Sequence, residues 1–164
     1  MKHNLKEIER KYLVKVMPDL TGVKVENQER YFLELGEIEK RITKISGKCI
    51  YEEKSGSELF AANKTIKEIT KIEFERLKAK SIRSLVRKSY VLQRYPEISI
   101  KVYGGDYDGL IRAEFEFEYE EDSIKFVPPE WAGVEITETE VGRDGRLINL
   151  NRNEFLKILT KCTK

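Results

Sequence analysis

Histidine occurs once in the 164-residue chain, as His3, and cysteine only twice, as Cys49 and Cys162. A single histidine near a terminus leaves no material for a histidine-centred triad, for histidine acid/base relays or for a Cys/His zinc site. A metal, if this chain uses one, must be held by oxygen. The two cysteines lie far apart without ligand spacing, and the opening MKHNLKEIER lacks an apolar signal core, so a reducing, cytoplasmic setting is expected. No apolar run approaches the length of a membrane helix, which argues against a membrane partner. A basic excess is missing too: 31 Lys and Arg stand against 29 Asp and Glu, for a net charge of +2. Nucleic acid is therefore not an expected partner.

What the chain has in abundance is charge of both signs, 37% of residues, beside 40% hydrophobic residues. The length suits one domain over residues 1–164 with a sizeable core. Strand patterns run over Leu5 to Val16, Gln28 to Leu35, Glu39 to Ile45 and Lys48 to Lys54, the last two joined by the hairpin pair Ser46-Gly47. Further strands are expected over Leu85 to Arg94, Glu97 to Tyr103, Leu110 to Glu120 and Val134 to Thr137. Thr65 with Glu68 reads as a capping box that opens a helix over about Ile66 to Lys80, and Asn151 with Glu154 opens a closing helix carrying Phe155, Leu156 and Leu159.

The charged residues follow the period of a strand. Successive strand side chains face opposite ways, so EIERK sets Glu7, Glu9 and Lys11 in one row, and EFEFEY sets Glu114, Glu116 and Glu118 against Phe115, Phe117 and Tyr119. Such rows recur on many strands. The expected fold is therefore α+β: about eight antiparallel strands closed into a wide, tunnel-like barrel with a polar interior and helices packed outside over the aromatic rows.

Glu7, Glu9, Glu114 and Glu116, with Glu135 as a further acid, would form an acidic wall. Lys11, Arg41, Lys54 and either Arg87 or Lys88 would form a basic one. Carboxylates without histidine or thiolate are hard ligands that suit Mg²⁺ or Mn²⁺, and facing lysines and arginines suit phosphate oxygens. A metal-bridged chain of phosphates is the ligand this pattern calls for. Taken singly, each ExE is more often a solvated strand face, and only the conjunction of early acids, late acids and basic residues between them tips the reading.

The opening EIERKYLV, the segment GLIRAEFEFE over Gly109 to Glu118 and the segment PEWAGVEIT over Pro129 to Thr137 resemble the CYTH, or triphosphate tunnel metalloenzyme, family, most of all its short bacterial inorganic triphosphatases. Gln28, Tyr31 and Leu33 are similar to its second strand, Glu39 and Arg41 to its arginine-bearing strand, and Lys54 to its fourth. The resemblance implies metal-dependent hydrolysis of a triphosphate-containing small molecule, with Glu7, Glu9, Glu114 and Glu116 as metal ligands and Lys11, Arg41, Lys54 and Arg87 on the phosphates. Glu135 would complete a second metal site or orient the water, and with Lys88 it makes up the catalytic candidates. A class IV adenylate cyclase, a thiamine triphosphatase and a non-catalytic polyphosphate or nucleotide binder are the rivals, and a homodimer is admitted. The departures fall on the basic wall: Thr43 stands where a second arginine is common, Glu52 replaces a threonine, and Lys101 stands where an aspartate is typical.

Overall fold

The computed structural model describes residues 2–58 and 61–163. The strands in chain order are β1 (Lys2–Val14), β2 (Lys24–Glu34), β3 (Ile38–Ile45), β4 (Lys48–Glu58) and β5 (Ala61–Glu68), followed by helix α1 (Lys71–Lys78). Then come β6 (Arg83–Gln93), β7 (Ile98–Tyr103), β8 (Ile111–Phe117), α2 (Glu120–Lys125), β9 (Ala132–Glu135), α3 (Asp144–Leu147) and α4 (Arg152–Cys162). Every pairing is antiparallel, in the order β5-β4-β3-β2-β6-β7-β8-β1-β9, and a further β5–β1 pairing closes eight strands into a barrel with β9 as an extra strand on β1. Closure leaves the eight barrel strands without a free edge, as the regular alternation demands.

The apolar side chains face outward over most of the barrel. On one flank Tyr12 and Phe115 meet edge to face at 5.8 Å, Phe115 stacks on Trp131 at 5.8 Å, and Phe126 closes the group at 4.7 Å from Phe115. On another, α1 buries Phe74 against Tyr31, Ile42 and Cys49. The β3–β4 hairpin turns on Ser46 and Gly47, whose φ values of 47° and 92° give the left-handed pair that such a tight turn requires.

Two expectations are corrected. The Thr65-Glu68 pair does not open a helix: β5 runs through Glu68, and the cap lies five residues later, where the Thr70 side chain accepts from the Glu73 backbone N–H at 3.1 Å. Both are T-x-x-E patterns. The first is overridden because β5 pairs with β4 on one side and β1 on the other, and without it the barrel would stay open. The closing helix does begin at the Asn151 capping box, but α4 does not cover an outer aromatic row. It delivers Phe155 to an apolar plug in which Leu13, Phe32, Leu85 and Tyr103, the innermost positions of their inward rows, pack on Ile136, Val141 and Leu147. Charge thus gives way to an apolar floor at one end of the barrel.

Candidate active site

A cavity of about 550 Å³ fills the barrel, lined by twelve basic and ten acidic side chains among the described residues. Its position follows from strand parity. β1 contributes Glu7, Glu9 and Lys11, β3 contributes Glu39 and Arg41, β4 contributes Glu52 and Lys54, and β8 contributes Arg112, Glu114 and Glu116, each residue two along from the last.

Glu7, Glu9 and Glu116 offer carboxylate oxygens that all lie within 4.8 Å of one another, an all-oxygen set suited to a hard divalent cation. Glu9 and Glu116 are direct cross-strand partners on β1 and β8. Burial and the neighbouring carboxylates of Glu7, Glu97 and Glu9 push the Glu116 carboxyl up to about 7. The crowding of three carboxylates sets the direction of this shift. Because the raised pKa penalises the ionised form, the metal-free protein loses stability as pH rises from the ordinary carboxylate range through 7. Glu116→Gln is therefore expected to stabilise the metal-free protein at pH 8 by up to about 3 kcal/mol and to change it little at pH 5. Urea unfolding at the two pH values in EDTA checks this; equal shifts at both would refute it.

The lysines sit on the acidic set itself. Lys54 Nζ lies 2.8 Å from Glu7 and 3.3 Å from Glu9, Lys64 lies 3.0 Å from Glu7 and 3.2 Å from Glu52, and Lys11 lies 2.9 Å from Glu9. Burial holds the Lys11 ammonium below its ordinary pKa despite Glu9, while Glu7, buried as it is, is drawn well down by Lys64 and Lys54.

The arginines are committed elsewhere. Arg41 bonds Glu39 at 2.6 Å and Glu52 at 3.1 Å, and Arg112 clasps Glu114 through two bonds of 2.8 and 2.6 Å. Glu114 is thus in the cavity as expected, but it stands with Arg112 and outside the Glu7, Glu9, Glu116 set. Arg30 lies opposite Thr43 in the β2–β3 register and donates to its hydroxyl at 3.1 Å, so the small Thr43 leaves room for an arginine from the next strand. Lys101, the other departure, is buried and donates to Ser89 Oγ at 2.8 Å.

Between Arg87 and Lys88 the geometry is unambiguous: Arg87 points inward and is buried, and Lys88 is exposed on the outer face of β6. Glu135 also stands outside the cavity. Arg10, on the outward row of β1, holds it with bonds of 2.8 and 2.7 Å, and Thr137 donates a third of 2.9 Å. Neither catalytic candidate therefore lines the cavity: Lys88 falls one residue off the inward parity of β6, and Glu135 lies on β9, outside the closed barrel. Lining residues that escape the sequence reading include Arg30, Lys64, Arg112 and Asp144. Arg30 and Arg112 were detectable by extending the rows of Gln28 and Glu114, and Lys64 once its segment is taken as a strand.

No protein-family model and no curated protein matches the sequence. Solved structures do. The inorganic triphosphatase NE1496 is similar with a TM-score of 0.63 at 25% identity, over 87% of this chain and 97% of that one. A second structure of NE1496, described as a hypothetical protein, gives 0.64 at 25% identity over 88% and 99%. The PH1012 protein from Pyrococcus horikoshii OT3 shares the fold with a TM-score of 0.57 at 16% identity, over 77% and 94%.

Proposed function

The chain belongs to the CYTH, or triphosphate tunnel metalloenzyme, family, and on that premise we propose that it is a divalent-metal-dependent triphosphatase that hydrolyses inorganic tripolyphosphate. The observation that carries the reading is the conjunction of the Glu7, Glu9, Glu116 set with three lysines already seated on its members. With twelve basic side chains against ten acidic ones, the cavity is too nearly neutral to hold a triphosphate by its own charge. A divalent cation supplies the missing charge and polarises phosphoryl oxygens as a Lewis acid, and Mg²⁺ or Mn²⁺ fits the all-oxygen donors.

The chain's own residues then divide the work. Glu7, Glu9 and Glu116 would hold the cation. With Glu7 and Glu9 committed to the cation, Lys11 and Lys54 would lose their carboxylate partners and Lys64 would keep only Glu52, so that the three lysines would turn to the phosphate chain. Water attacks the terminal phosphorus in line, the bond to the bridging oxygen breaks, and diphosphate and orthophosphate leave. Glu114 keeps Arg112 in place, and Arg41, Arg30 and Arg87 border the track from its sides.

Because one set of carboxylates serves both cations and lysines, metal and tripolyphosphate are expected to bind cooperatively and reciprocally. Calorimetry with Mn²⁺ should give at least a tenfold tighter tripolyphosphate Kd than in EDTA; equal affinities would count against the exchange of partners. The activity itself is tested by phosphate release from tripolyphosphate, ATP and thiamine triphosphate with Mg²⁺ and with Mn²⁺. Hydrolysis of tripolyphosphate that stops in EDTA is expected, and tight binding without turnover would leave a binder instead.

A further inference from the structure

Among the described residues, Asp144 is the one buried lining acid that belongs to neither the barrel strands nor the Glu7, Glu9, Glu116 set. It opens the short helix α3, in the segment between β9 and α4, and its carboxylate is buried at the floor of the cavity. Three guanidinium groups and a phenol converge on it. One oxygen accepts from Tyr103 Oη at 2.6 Å and Arg112 at 3.0 Å, and the other accepts from Arg87 at 2.9 Å and from Arg30. Each oxygen thus takes two bonds. Three buried guanidiniums sharing one focus would repel one another strongly without an anion there.

The donors themselves are not specific for a carboxylate. Guanidinium forks and a hydroxyl aimed at one point make equally good partners for a phosphoryl group. We propose that Arg30, Arg87, Arg112 and Tyr103 form an anion subsite that Asp144 occupies from within, so that Asp144 ends the phosphate track and limits the substrate to a short chain. Arg112 lies four residues from Glu116 along β8, roughly 13 Å at the rise of a strand. A triphosphate held at Glu7, Glu9 and Glu116 therefore has room to extend towards the arginines and meets the Asp144 carboxylate there. A longer chain must place another phosphate where a carboxylate already sits, and like charges at that distance repel. Burial would raise the Asp144 carboxyl, but Arg87, Arg112 and Arg30 draw it well down, so the carboxylate keeps its charge near neutral pH.

This inference rests on the triphosphate reading of the tunnel, and its test separates the two. Calorimetry with Mn²⁺ compares tripolyphosphate with a linear pentapolyphosphate on the wild-type protein and on Asp144→Asn. The wild type is expected to bind tripolyphosphate at least tenfold tighter, and Asp144→Asn to remove most of that preference by gaining affinity for the longer chain. Inorganic sulfate is also expected to raise the Tm of Asp144→Asn more than that of the wild type, since the emptied subsite takes an anion. A wild type that binds both chains alike overturns the proposal whether or not the variant folds, and so does a folded variant with an unchanged preference and no sulfate effect. A wild type that binds neither chain overturns the triphosphate reading along with it.

Discussion

Glu9→Gln is expected to lower kcat/KM for tripolyphosphate at least a hundredfold, a loss of about 2.7 kcal/mol in transition-state stabilisation. Two contributions add. Glu9 offers one of the three oxygens that lie within 4.8 Å of one another, and it also holds Lys11 at 2.9 Å and Lys54 at 3.3 Å. The amide keeps the shape of the side chain but removes its charge, so a divalent cation loses a hard anionic ligand and Lys11 loses the carboxylate that positions it, while Lys54 keeps Glu7 at 2.8 Å. Glu116→Gln should fall with it, because Glu116 completes the same set from β8. Glu135→Gln should not, since Glu135 is bound by Arg10 on the outer face. Steady-state kinetics at several Mn²⁺ concentrations decide the matter. If either tunnel variant kept wild-type kcat/KM at saturating metal, the ligand assignment would be wrong.

The largest effect on stability is expected at Glu52. Its carboxylate is buried, bonds Arg41 at 3.1 Å and the Thr43 hydroxyl at 3.0 Å, and lies 3.2 Å from Lys64 and 3.5 Å from Arg30. Removing it leaves the buried Arg41 and Arg30 and the partly buried Lys64 facing one another without their shared anion. Breaking a buried ionic cluster from one side costs about 3–5 kcal/mol, a large part of the stability of an ordinary domain. Glu52→Ala should therefore unfold at a much lower urea concentration than the wild type, and a loss below about 1 kcal/mol would contradict the cluster's structural role.

The same chemistry sets the acid limit of the wild type. Burial acts to raise Glu52, Glu114 and Asp144, but the arginines and lysines around them hold all three below the ordinary carboxylate range. Groups with depressed folded pKa values contribute stability above their unfolded pKa and lose it as pH falls through the folded one. Acid unfolding should thus set in below about pH 4. Glu116, whose shift has the opposite sign, resists that trend only between its two pKa values.

Strand parity made the acidic half of the site legible before any coordinates. EIERK and EFEFEY alternate without a break, so the inward placement of Glu7, Glu9, Lys11, Glu114 and Glu116 followed from a period of two, and so did the outward turn of Tyr12, Phe115 and Phe117. RKSY offers a basic residue of each parity, so the same rule left Arg87 and Lys88 both open until β6 was placed. Glu135 was misplaced for a different reason. β9 is a four-residue strand lying outside the closed barrel, and parity along β9 cannot say which side of another strand it joins.

What the sequence alone determined, then, is the polarity of each strand: which row is charged, which is aromatic, and hence that the barrel is built with its charge inside. That is local information, carried by the pleat. Which of two T-x-x-E patterns starts a helix, which three carboxylates crowd together, and which acid answers the arginines were decided only by closure. Once β5 meets β1, residues more than a hundred positions apart share one cavity, and each buried charge there needs a partner. Asp144 shows the limit most plainly, since nothing in DGRL marks it and only Arg30, Arg87 and Arg112, brought together from three strands, give it a reason to be there.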